Sequence, residues 1–278
     1  MLTLNKIDKE LIIDLLKKVN KAVDLTGADK KNLSLMQGLS GLALANFYCG
    51  RYLAEPECLA KGEEIVDVII DTIDKQNYHF INIFSYCNGF AGVCFALNHL
   101  QQEGFIALDV TESFAAVEEY IFEIGLKSIN VDKSDFLHGG LGIMYYFMQR
   151  LPDTKMEVRI NEMLSAYIKK GKRDEYGFRI INKLLIDREK DEYDLGMAHG
   201  LAGHVVILCE LHKLGIQQEM VEALINDQVK YIESKYKDIT KTGKNSYYPT
   251  SYIESAGKEP ENLEFYNTRL AWCYGDLS

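Results

Sequence analysis

His199-Gly200-Leu201-Ala202-Gly203, with Val205-Val206-Ile207-Leu208 close behind it, is the stretch whose reading decides the fold. Its pattern is a polar residue, a Gly-x-x-Gly and then an apolar run. The same pattern stands upstream as Gln37-Gly38-Leu39-Ser40-Gly41, Asn88-Gly89-Phe90-Ala91-Gly92 and His138-Gly139-Gly140-Leu141-Gly142. A fifth head, Tyr274-Gly275-Asp276-Leu277-Ser278, keeps only the first glycine, with Ser278 in the place of the second. The heads recur at intervals of about 50–75 residues, room for two helices and their connections.

The apolar runs, Leu42-Ala43-Leu44-Ala45-Asn46-Phe47 among them, lack a polar face and read as helices buried all round. Between them lie helices with a single apolar stripe: Ile65, Val66, Val68, Ile69, Ile70 and Ile73 among acidic neighbours, then segments near 111–128, 155–170 and 217–236. An inner layer of apolar helices jacketed by amphipathic ones is an all-α fold, an α/α toroid or double-layered helical barrel. Residues 1–278 read as one such domain, a closed or nearly closed barrel. Paired glycines at each inner head let crowded backbones approach near the axis. The polar residues Gln37, Asn88, His138, His199 and Tyr274 then read either as helix caps, a role suited best to Asn88, or as a polar ring facing a cavity. Ser246–Tyr252, after Lys241–Asn245, reads as a surface excursion with a hairpin.

Composition excludes several classes. Hydrophobic residues make up 47% and charged residues 26%, ordinary for a globular chain. No apolar run approaches the ~18 residues of a membrane span. A net charge of −10 disfavours nucleic acid or an anionic membrane as partner and is compatible with a neutral or basic peptide. Six cysteines without dense spacing, and an N-terminus that reads straight into an amphipathic helix, predict a reduced, cytoplasmic setting.

Ala198-His199-Gly200-Leu201-Ala202-Gly203, Trp272-Cys273-Tyr274-Gly275, Asp135-Phe136-Leu137-His138-Gly139 and Arg269 together resemble the lanthionine synthetase C-like proteins, the LanC cyclases. The likeness spans the chain through its five glycine heads. It implies an α/α toroid with seven inner helices, of which residues 1–278 with their five heads would be the incomplete N-terminal part, and a zinc ion at one end of the axis, held by two Cys and one His. Cys273 would be the first ligand; the other two belong to a Cys-His-Gly motif that these 278 residues do not contain. The activity implied is addition of peptide cysteine thiols to dehydroalanine or dehydrobutyrine, closing thioether rings. The implied partners are a dehydrated precursor peptide, a dehydratase and a peptide exporter.

The chemistry needs a thiolate, a hold on the electrophile and a proton for the enolate carbon. A zinc site with an open position ionises a bound thiol. His199 suits either direction of proton transfer: to the enolate, or from the thiol. Asp135 would orient and charge His199. Arg269 and Tyr274 would stabilise the developing enolate oxygen, or Tyr274 would shuttle a proton. Their plain readings are a capping His, a loop Asp and packing side chains; for Cys273 it is a small buried hydrophobe. With one of three ligands, the chain is expected to be inactive by itself. Two alternatives stand: a non-catalytic peptide- or thiol-binding member of the fold, and an α/α-barrel glycosidase using Asp135 and Asp194.

Overall fold

A computed structural model of the chain describes residues 6–22, 25, 27–80, 82–183, 192–243, 245–254, 263–265, 272–273 and 276. They fall into two compact units, 1–117 and 118–278. In the first, α1 (Lys6–Ala22), α2 (Leu39–Leu53), α3 (Pro56–Asp74) and α4 (Phe90–Gln102) follow in order. The boundary falls inside α5 (Val110–Asn130). In the second come α6 (Gly140–Met148), α7 (Thr154–Lys170), the strands β1 (Lys172–Asp174), β2 (Gly177–Arg179) and β3 (Glu192–Asp194), and then α8 (Leu201–Lys213). The remainder is α9 (Gln218–Glu233), a short α10 (Ile239–Thr242), β4 (Ser251–Ile253) and β5 (Leu263–Phe265).

The segments expected to be amphipathic helices are α3, α5, α7 and α9, within a few residues of the periodic stretches. In α3 the buried positions Cys58, Gly62, Ile65, Val66, Ile69 and Thr72 trace one stripe. Pro56 at its first turn loses no intrahelical bond. The side chains of α6 are buried except Tyr145, and α4 is buried over most of its length. Burial all round does not extend to α2 and α8, where Tyr48, Tyr52 and Val206 are exposed. For α8 the reason is geometric: it packs mainly on α9 and more lightly on α6, and these cover only part of its circumference.

Both glycines of the repeated head are explained by close approach, though of a different kind from the crowding of neighbouring helices that the sequence predicts. A Cβ at Gly200 would collide with the Asp194 carbonyl, and one at Gly203 with the Met197 carbonyl. The obstacle is the chain's own preceding loop, and the same relation recurs at Gly38, Gly41, Gly89, Gly92 and Gly139. The first glycine is itself the N-cap of α2, α4, α6 and α8, in extended conformation and with no side-chain cap. Asn88 therefore does not cap α4. Amides of the first helical turn bond instead to the folded-back loop: Phe90 N to Ile83 O at 2.8 Å, Gly140 N to Lys133 O at 3.0 Å, and Ala202 N to Leu195 O at 3.1 Å.

The second unit carries β structure that the sequence reading underestimates. β1 and β2 form an antiparallel hairpin; β3, β4 and β5 form an antiparallel sheet in that order, with Tyr193 opposite Tyr252. The hairpin expected within 246–252 is absent: residues 246–250 lead into β4, whose partners β3 and β5 lie outside that segment. Strands of three residues are too short for alternation to show. Arg179 is fully buried, paired with Asp174 at 2.7 Å and Glu254 at 2.6 Å, with its guanidinium over the rings of Tyr231 and Tyr193.

Candidate functional site

Two loop–helix junctions of the second unit build the site. Asp135 lies in the loop between α5 and α6, which the Gly139 N to Asp135 O and Gly140 N to Lys133 O bonds fold back on the head of α6. His199 lies in the corresponding turn between β3 and α8, held by the bond from Gly200 N to Gly196 O. The separation of 64 residues in sequence closes to one hydrogen bond: His199 Nδ1 donates to Asp135 Oδ2 at 2.7 Å. A carboxylate only accepts, so the bond assigns the proton to Nδ1 and turns Nε2 to the opposite side of the ring.

Asp135 has no solvent exposure, and both its oxygens are engaged. The His138 backbone N–H donates to Oδ1 at 2.7 Å, and Asn182 Nδ2 donates to Oδ2 at 3.0 Å. Asn182 also donates to the His199 carbonyl at 2.9 Å, so one amide ties the carboxylate to the backbone of its imidazole partner. Asn182 is placed by its neighbour, because Lys183 N bonds to Asp132 O at 2.7 Å. Sequence reasoning missed Asn182: it sits in no motif, and nothing local marks it.

The imidazole of His138 lies flat against that of His199, with ring centroids 5.8 Å apart and planes 11° from parallel. Burial works against charge throughout this group, and neighbours decide the outcome. For Asp135, burial raises the pKa, but the bond and charge of His199 and the His138 amide bring it below the ordinary carboxylate value. For His199, burial is outweighed by the Asp135 bond and charge, helped by Asp194, and the pKa is raised. For His138, burial dominates; Asp135 opposes it in part, the His199 charge adds to it, and the pKa is lowered.

Cys273 is a free, half-buried thiol beside the exposed Trp272. Arg269 and Tyr274 lie outside the described residues. Asp276 anchors the segment after Cys273: it accepts from Ser246 Oγ at 2.6 Å, Tyr247 N at 2.9 Å and Tyr248 N at 3.2 Å. Among the described residues no group of three or more His, Cys, Asp or Glu is placed to hold a metal ion. These residues alone do not make a zinc site. Cys87 and Cys94 are both buried, Cys87 just before α4 and Cys94 within it. No helix of the described residues is long and apolar enough to cross a membrane.

No match is found among curated proteins. Among solved structures the chain is similar to nisin cyclase, with a TM-score of 0.67 and 18% identity, over 98% of this chain and 68% of that one. At that identity the likeness shows the fold, the α/α toroid of LanC proteins. The family model of the lanthionine synthetase C-like proteins matches residues 29–278. The chain belongs to the lanthionine synthetase C-like family.

Proposed function

We propose that this chain is part of a peptide cyclase that adds cysteine thiols to dehydroalanine or dehydrobutyrine, forming thioether rings. The observation that carries the reading, within a family already shown, is the 2.7 Å bond between buried Asp135 and His199. A carboxylate that raises the pKa of an imidazole favours the protonated ring, the form that can give a proton to an enolate carbon. Arg269 and Tyr274 are proposed to stabilise the enolate oxygen. The substrate is proposed to be a dehydrated precursor peptide, supplied by a dehydratase and passed to an exporter, in the cytoplasm. Residues 1–278 are proposed to act as one domain.

Cys273 is proposed as one zinc ligand. A single thiolate does not fix a catalytic zinc ion, which takes three protein ligands. A polypeptide of these 278 residues is therefore expected to bind less than one equivalent of zinc and to leave a dehydrated peptide uncyclised. The glycosidase alternative loses support from the site itself, since Asp135 is enclosed and already bonded through both oxygens.

The test uses the natural full-length protein and a dehydrated peptide carrying one cysteine. Ring closure leaves the mass unchanged, so it is read as loss of alkylatable thiol. Cyclisation by the natural protein is expected, with about a 10²-fold loss in Asp135→Asn as His199 loses its charged partner. Absence of cyclisation with zinc present and the peptide bound would overturn the proposal.

A further inference from the structure

Addition of a thiol across a dehydrated residue moves two protons, one off sulfur and one onto carbon. An imidazolium has a proton to give but no empty nitrogen to receive one. His199, held by Asp135, is the donor in the reading above, which leaves the acceptor unassigned.

We propose that His138 is the second proton-handling group of this site, taking the proton that the peptide thiol releases while His199 supplies the one the enolate carbon takes up. The inference rests on the cyclase reading and deepens it.

Three observations carry it. His138 and His199 occupy the same slot, each directly before the N-cap glycine of its helix, and both rings are half-buried. Their rings are stacked 5.8 Å apart. One carboxylate serves both residues in different ways: Asp135 Oδ2 takes the ring N–H of His199, and Oδ1 takes the backbone N–H of His138. A positive charge is thereby favoured on His199 and, through repulsion between parallel rings, disfavoured on His138. The charged groups that act here are Asp135 from the α5–α6 loop on both rings, Asp194 at the end of β3 on His199, and the His199 imidazole on His138. Environments that push two titratable groups apart assign one as acid and the other as base.

The step balances. The S–H bond breaks and its proton passes to a ring nitrogen of His138. The sulfur pair forms the C–S bond to the β-carbon, and the π pair of the alkene moves into the enolate. The N–H proton of His199 is then transferred to the α-carbon. Solvent carries the proton from His138 back to His199, so the protein ends as it began.

The test compares His138→Gln, His138→Phe and His199→Gln in the natural full-length protein, following thiol loss from the one-cysteine dehydrated peptide between pH 6 and 9. Both His138 variants are expected to be slower by about 10²-fold near pH 6.5. Their deficit is expected to narrow as pH rises and more of the thiol arrives already ionised. The deficit of His199→Gln stays open. A deficit of equal size at every pH, a wild-type rate in His138→Phe (which restores the flat ring), or no deficit would overturn the inference while leaving the cyclase reading intact. Failure of the natural protein itself to cyclise the peptide overturns both.

Discussion

His204 shows how far one residue type diverges within a single turn of helix. It follows His199 by five residues, yet it is buried inside α8, with Nδ1 3.0 Å from the Tyr167 hydroxyl and no partner for Nε2 among the described residues. Gln228 completes the cluster through the same hydroxyl. Burial pushes His204 down to about 4, whereas Asp135 pulls His199 up. The two therefore act on stability with opposite sign. The unfolded chain protonates His204 first, near ~6.5, so its contribution is full above that pH. It falls as pH drops towards 4, by up to about 3 kcal/mol. His199, with its raised value, stabilises below the unfolded pKa and loses that contribution as pH rises through the folded one. The urea midpoint of wild type is expected to fall more between pH 7 and 4 than that of His204→Gln; equal falls would refute this. Neither histidine announces its fate locally: motif position singles out His199, but the burial of His204 follows from what packs around α8.

At the scale of the element, the Gly-x-x-Gly head is a loop–helix unit rather than a helix start with small residues. The loop folds back so that its carbonyls receive the first free amides of the helix and stand where glycine Cβ atoms would be. Gly203→Ala places a methyl against the Met197 carbonyl, a backbone atom that moves only with its loop. A loss of about 2–3 kcal/mol is expected, measured by urea unfolding and larger than the gain in helix propensity. A neutral or stabilising effect would show that the loop yields. The same unit restrains the proposed site: the loops that carry Asp135 and His199 are bonded back to the heads of α6 and α8. The repeat was legible because glycine spacing is a local pattern. The short strands were not, since β3 and β4 pair across a long separation and each strand is too short to alternate.

For the whole molecule, the single-domain proposal makes a prediction that the two compact units sharpen. Their boundary falls within the continuous helix α5, so local unfolding on one side removes helical turns from the other. Unfolding in urea is expected to be one transition, with far-UV and near-UV circular dichroism coincident. The only tryptophan, Trp272, is exposed, so its fluorescence reports on the region of Cys273 and not on the core. Two separated transitions in the circular dichroism would refute the single domain.

The sequence by itself determined the helical class and the family, because both reside in local patterns: apolar periodicity and glycine-headed motifs that survive without knowledge of neighbours. It also singled out His199 and Asp135. Only the tertiary structure brought them within one hydrogen bond, recruited Asn182 to hold them, laid His138 against His199 and decided which imidazole is favoured to carry charge. Charge states follow from burial and from the distance to other charges, and those quantities exist only once the chain is folded.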